Sequence, residues 1–232
     1  MGNGIKFAMI AGCVALVGAG GWYGGRIAIE RVEHDYILEH PEILPEAMEV
    51  LQQRQNDQQL SGVRSGVETP FPGAVLGNPA GKVTMVEFTD FACGYCRQSL
   101  GDVQGLIARN PDLRIVIREL PIISPASPDA AKMALAAAEQ GKYAAFHDAM
   151  FMAGQVDAPT IEAVARKVGL DMDRARRVAA SPQVEAEIAR NLEFANRLGF
   201  SGTPSWVIGT RLISGAVGID QLSEALKSAS GS

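Results

Sequence analysis

"FTDFACGYCRQS", Phe88 to Ser99, holds Cys93 and Cys96 as a CxxC pair, in a chain of 232 residues with 3 cysteines, the third being Cys13. Upstream, "VTMVEFTD" (Val83–Asp90) is an almost unbroken apolar run, the pattern of a strand in the middle of a sheet. Downstream, Leu100, Val103, Leu106 and Ile107 fall on one face of a helix that Asn110 and Pro111 stop. The pair therefore stands where a strand ends and a helix begins. Residues i and i+3 of a first helical turn are about 5 Å apart, within disulfide reach. Unsatisfied N–H groups and the positive end of the helix dipole favour thiolate over thiol there, giving a nucleophile and leaving group near neutral pH. On this reading Cys93 is the exposed attacking sulfur, and Cys96, one turn deeper, resolves the mixed disulfide.

Two other uses of the pair fit less well. A structural zinc needs four ligands, and His34, His40 and His147 form no ligand-spaced set with the cysteines, so no metal is expected. A purely structural disulfide across two residues would restrict the unfolded chain very little. Redox use remains, and it calls for neither metal nor organic cofactor.

Working outward, "LRIVIREL" (Leu113–Leu120) is a second buried strand, and strand–helix–strand at these lengths predicts a parallel βαβ unit. Five helical segments follow, two of them opened by Ser127-Pro128 and Ser181-Pro182. The chain returns to strand at "PSWVIG" and "RLISG" and ends in the helix "GIDQLSEALKSA". The predicted class is α/β, with a βαβ half and a ββα half flanking a helical insertion of about 127–198. Within "GTPSW" (Gly202–Trp206), Pro204 either opens a strand or forms a cis peptide with Thr203 against the cysteine pair. In the second case the Thr203 backbone is offered to an incoming peptide as an added strand.

The front of the chain differs. "FAMIAGCVALVGAGGWY" (Phe7–Tyr23) is uncharged and follows Lys6, so residues 1–25 read as a membrane anchor, with a cleaved signal as the rival. Cys13 reads as a small apolar residue within it. Residues 26–60 form two helical segments with apolar stripes Ile29, Val32, Tyr36, Ile37 and Leu44, Ala47, Met48, Leu51, which we read as a self-association segment, docking being the alternative. Residues 61–72, "SGVRSGVETPFP", have linker composition, and 73–232 form the main domain. With 47% hydrophobic and 20% charged residues the chain folds, and a net charge of −5 gives no basic footprint for nucleic acid.

"VEFTDFACGYC", the helical insertion and "GTPSWVIG" together resemble the DsbA-like branch of thioredoxin-fold disulfide oxidoreductases, from about Pro70 onward. "DYILEHPEILPEAMEVL" resembles the oligomerisation segment of suppressor-of-copper-sensitivity C-type proteins, a group that includes disulfide isomerases. The resemblance implies a thioredoxin fold, Cys93 as attacking and Cys96 as resolving thiol, and Pro204 as a cis-proline. It also implies Thr203, Pro204 and Tyr95 at the client site. Threonine before that proline is typical of isomerase and reductase members, and "CGYC" departs from the "CPHC" of the strongest oxidant. Glu87 lies in an apolar strand six residues before Cys93; such a buried acid would have a raised pKa and is thought in this family to shuttle the buried thiol's proton, an exposed strand-end glutamate being the plain alternative. The expectation is an envelope thiol–disulfide oxidoreductase, isomerase or reductase, acting on client proteins with a membrane redox partner. A net oxidase and a copper(I)-binding protein are the rivals.

Overall fold

The computed structural model describes residues 36–230. The apolar segment 1–25, Cys13 and the stripe residues Ile29 and Val32 lie outside them. Among the described residues no helix is long and apolar enough to cross a membrane. The chain divides into two units, Met1–Gln52 and Gln53–Ser232.

Residues 36–39 are helical and end before Pro41, and helix α1 (Ile43–Leu60), which begins just after it, continues past Gln52 into the second unit. Pro45 sits in the first turn of α1, where a missing N–H costs nothing because that group has no intrahelical partner. Tyr36, Leu44, Met48 and Leu51 are all exposed.

The second unit is built on a five-stranded mixed sheet: β1 (Val75–Gly77), β2 (Val83–Thr89), β3 (Leu113–Glu119), β4 (Ser205–Ile208) and β5 (Arg211–Ser214), in the order β1-β3-β2-β4-β5. β2 and β3 are parallel, in register from Val83↔Leu113 to Thr89↔Glu119, and are joined by helix α3 (Gly94–Arg109). The other three strand pairings are antiparallel. This is the thioredoxin-like arrangement of a βαβ half and a ββα half in one sheet. Between β3 and β4 run five helices: α4 (Ser127–Glu139), α5 (Tyr143–Ala153), α6 (Ala158–Lys167), α7 (Met172–Ala179) and α8 (Pro182–Arg197). Helix α9 (Ile219–Ser230) closes the fold.

Alternation along the strands gives the sheet two apolar faces. Met85, Ile115, Ile117, Trp206 and Ile208 pack with Val103 and Leu106 of α3, Leu222 of α9 and the alanine-rich inner side of α4. Val86, Phe88, Val116 and Val207 pack on the other face with Leu60, Val63, Val67 and Phe194. Each fully buried side chain of this size stabilises the fold by ~1.5–3 kcal/mol.

The segment read as a linker is not one. Residues 64–68 form helix α2 (Arg64–Glu68), and Leu60, Val63, Val67 and Phe71 are buried. Its polar composition hides an apolar residue at every third or fourth position, and its last carbonyls are claimed from a distance. Arg118 of β3 donates to the carbonyls of Gly66, Val67 and Thr69, to Glu187 Oε1 at 2.5 Å and to Asn191 Oδ1 at 3.2 Å. One buried guanidinium therefore ties α2 and α8 to β3.

Candidate active site

Cys93 is the N-cap of α3, with extended backbone (φ −81, ψ 115) and its N–H bonded to the Asp90 carbonyl at 2.9 Å. No side chain caps the helix, and its first turn carries no acidic residue. The free first-turn N–H groups and the helix dipole thus make the N-cap a place suited to an anion. The turn that delivers Cys93 is held by the Asp90 carboxylate. Oδ1 accepts from Ala92 N (2.8 Å) and Ser127 Oγ (2.7 Å), while Oδ2 accepts from Ile122 N (2.8 Å) and Ile123 N (2.9 Å). Asp90 therefore fixes the site to the loop after β3 and to the start of the helical insertion, well beyond the local turn role its position suggests.

The Cys93 thiol donates to the Thr203 carbonyl at 3.1 Å, and the Thr203–Pro204 peptide is cis. Gly215 N bonds to the Pro204 carbonyl (2.8 Å), Ser205 Oγ to the Gly202 carbonyl (2.8 Å), and the fully buried Trp206 donates Nε1 to the Gly215 carbonyl (3.0 Å). This loop covers the sulfur. Cys93, expected to be exposed, is 6% exposed, and Thr203, expected to present its backbone, is 8% exposed with its carbonyl taken by the thiol. Tyr95, on the first turn of α3, stands open at 66%.

Cys96 lies deeper, and both thiols are free. Burial pushes the Cys96 thiol far up from its usual range, and the negative charge of Glu87 pushes it further; the neighbouring Thr89, Asp90 and Thr203 offset part of this. Glu87 is buried in β2, opposite Ile117 of β3 and Trp206 of β4. Burial pushes its carboxyl up to about 8, with the Thr89 hydroxyl offsetting a little. Cys93, Cys96, Thr203, Pro204 and Glu87 thus converge on the ends of β2, α3 and β4.

Sequence reasoning passed over Glu119 and Tyr143. Tyr143 of α5 donates to Glu119 Oε1 at 2.6 Å, and both residues are buried. The available signal was the pair of adjacent charges, Arg118 and Glu119, at the end of the strand-like "LRIVIREL". Among the described residues no group of three or more His, Cys, Asp or Glu is arranged to hold a metal.

Residues 84–227 match the DSBA-like thioredoxin domain. The chain belongs to the DsbA-like thioredoxin family of oxidoreductases. Residues 26–58 match the copper resistance protein ScsC N-terminal domain, so this DsbA-like domain follows an ScsC-type segment. A thioredoxin-like oxidoreductase from Silicibacter pomeroyi is 45% identical with a TM-score of 0.66, over 68% of this chain and 92% of that one. A periplasmic thioredoxin-like protein from Salmonella enterica serovar Typhimurium is 26% identical with a TM-score of 0.65, over 74% of this chain and 98% of that one. Among curated proteins, the Na(+)/H(+) antiporter NhaA 3 of Salinispora tropica is 35% identical over 67% of this DsbA-like chain. The chain spans about a quarter of that relative's length, 24%.

Proposed function

We propose that this protein is an extracytoplasmic thiol–disulfide oxidoreductase acting on client proteins as an isomerase or reductase. The observation that carries the reading is the Cys93 sulfur at the N-cap of α3, 3.1 Å from the carbonyl of a cis Thr203–Pro204 peptide. Family membership and the buried second thiol support it. The apolar segment Phe7–Tyr23 and the periplasmic setting of the Salmonella relative support an envelope location, tethered or exported.

In the proposed cycle the Cys93 thiolate attacks a client disulfide. A Cys93–client S–S bond forms, the client bond breaks, and one client sulfur leaves as thiolate. For isomerisation, another client thiolate attacks the mixed disulfide and frees Cys93. For reduction, Cys96 attacks the Cys93 sulfur, its proton passes to Glu87, and the client's remaining sulfur leaves. The protein disulfide so formed is reduced again by a membrane partner. Client segments lie across Tyr95 and the Thr203–Pro204 loop, adding a strand once the thiol releases the Thr203 carbonyl. The exposed stripe Leu44, Met48 and Leu51 supports self-association through residues 26–60, which would set several sites around one misfolded client.

Insulin reduction and recovery of scrambled ribonuclease test this reading, and both should be active. Equilibration with glutathione gives the direction. A potential near −120 mV, that of the strongest oxidants, would overturn isomerase and reductase in favour of oxidase. Inactivity in both assays with tight copper(I) binding would overturn redox catalysis altogether.

A further inference from the structure

The exchange site is built from two loops, the turn 90–93 and the Thr203–Pro204 loop, and the fold brings a third beside them. β2 and β3 are parallel and end together at the register pair Thr89↔Glu119, with Leu120 N bonded to the Thr89 carbonyl at 2.8 Å. The chain therefore leaves both strands at one sheet edge, the carboxyl-end edge at which open α/β sheets bind their ligands. Cys93 is the fourth residue after Thr89, and Ile123 is the fourth after Glu119.

One residue joins the two exits. The Asp90 carbonyl accepts from Cys93 N at 2.9 Å and closes the turn that presents the sulfur. The Asp90 carboxylate is buried at that turn. One of its oxygens holds Ala92 N and Ser127 Oγ, and the other holds Ile122 N at 2.8 Å and Ile123 N at 2.9 Å. Two consecutive N–H groups are thus drawn inward to a single oxygen, while the side chains beside them stay outside. Ile122 is 44% exposed and Ile123 50%. Scattered apolar side chains are ordinary on a protein surface. Adjacent isoleucines pinned by a buried carboxylate are a different case, because a loop already fixed loses little entropy when something packs on it.

The surroundings suit an apolar visitor. Leu120–Ser127, Phe91–Cys96 and Ser201–Trp206, the three stretches that meet at this edge, contain no charged residue. Tyr95 stands open on the first turn of α3.

We propose that the Ile122–Ile123 step is a specificity-determining contact of the exchange reaction, taking the apolar residues that flank a client's reacting cysteine, and that Asp90 is the positioning residue holding this step in fixed relation to Cys93. This rests on the exchange reading above and names the clients it selects: segments whose disulfide is flanked by apolar side chains, as an incompletely folded chain exposes them. The chemistry is unchanged. The Cys93 thiolate forms the new S–S bond, the client bond breaks, and one client sulfur leaves as thiolate. Ile122 and Ile123 add apolar surface that leaves water as the client approaches. A charged flank would instead be desolvated against a surface that offers it no counter-charge.

The test uses two disulfide-closed peptides, alike except that leucine flanks the cysteines in one and glutamate in the other. Attack by the reduced protein is followed in single turnover. Each rate is divided by that of the same sample with glutathione disulfide, which corrects for thiolate and for the folded fraction. The wild type should favour the leucine peptide about tenfold, the order that a well-placed apolar contact supplies. Ile122→Ser combined with Ile123→Ser should bring the preference below about twofold. Asp90→Asn replaces one accepting oxygen by an amide donor that faces other donors, so the step loses its anchor. The preference should fall below about threefold there too, with both isoleucines still present.

A wild-type preference near one, or a preference that the double isoleucine variant keeps, would overturn the proposal. Loss in the isoleucine variant but not in Asp90→Asn would overturn the part given to Asp90. A wild type inert toward glutathione disulfide would overturn the exchange reading itself, so the two failures are told apart by the reference reaction.

Discussion

Glu87 carries a cost of burial that can be put on a pH scale. Its pKa rises from 4.5 in the unfolded chain to about 8 in the fold. The folded state therefore favours the protonated form, and stability is lost as pH climbs from about 4.5 to about 8. At pH 7 the loss is ~3 kcal/mol. Glu87→Gln should recover an amount of that order in urea unfolding at pH 7 and make the stability profile between pH 5 and 8 shallower, the remaining slope coming from Glu119, whose carboxyl burial also pushes well up. The same substitution should slow Cys96-dependent resolution by ~10²-fold, and the rise of the wild-type resolution rate through pH 8 should vanish. A variant gaining stability while losing turnover is the signature of an acid retained for chemistry; equal stability at pH 5 and 8 in the wild type would remove the argument. The sulfurs divide by depth in a similar way. Cys93 stands at the helix mouth, whereas burial and the Glu87 charge keep Cys96 a thiol until a base acts. Cys96→Ser should accumulate Cys93–client mixed disulfides on non-reducing gels, and Cys93→Ser should abolish exchange. Normal product release by the first variant would reverse the assigned roles.

At the scale of elements, what the sequence displays is what short-range physics controls. The strand–CxxC–helix junction, the parallel β2–β3 pair and the insertion helices were legible because periodicity and stops are local, although Ser127, read as opening α4, lies inside it as its first residue and Ala126 is the N-cap with no side-chain hydrogen bond. Ser181 does cap its helix, its Oγ accepting from Val184 N at 3.3 Å just before Pro182. Helix α2 was not legible, because Arg118, some fifty positions away, supplies what its composition lacks. The cover over Cys93 was missed for the same reason, since the Thr203 carbonyl arrives from across the sheet. Glu119 was passed over because a strand-end glutamate looks solvated until Tyr143 of another element covers it. Arg118 makes the point testable. Removing one partner of a buried ion pair typically costs ~3–5 kcal/mol, and here the carbonyls of Gly66, Val67 and Thr69 lose their donor as well. Arg118→Met should lower stability by at least ~3 kcal/mol and speed proteolysis within 61–72. Protection of that segment unchanged from wild type would show that apolar packing alone seats α2.

Across the whole molecule the two units carry different kinds of surface. The second buries its apolar residues on both sheet faces. The described part of the first leaves Tyr36, Leu44, Met48 and Leu51 more than half exposed. Those four residues, at roughly 20–30 cal/mol per Å² of apolar surface, represent several kcal/mol available to association. On the proposed reading a second copy of the chain meets them. The cut that tests this falls after Gln52, because Asn56 and Leu60 are already buried in the second unit and a deletion reaching residue 60 would damage the redox domain itself. Deleting residues 1–52 should leave insulin reduction within about twofold, since no residue of the Cys93 site is touched. It should lower the mass by light scattering to that of a single chain and weaken recovery of scrambled ribonuclease about tenfold, because repeated attack on one client benefits from the high local concentration of linked sites. Leu44→Lys with Met48→Lys in the longest soluble form should reproduce both effects without shortening the chain. If the truncated and full-length proteins have the same subunit number, the stripe has another occupant and the isomerase reading loses its support from assembly.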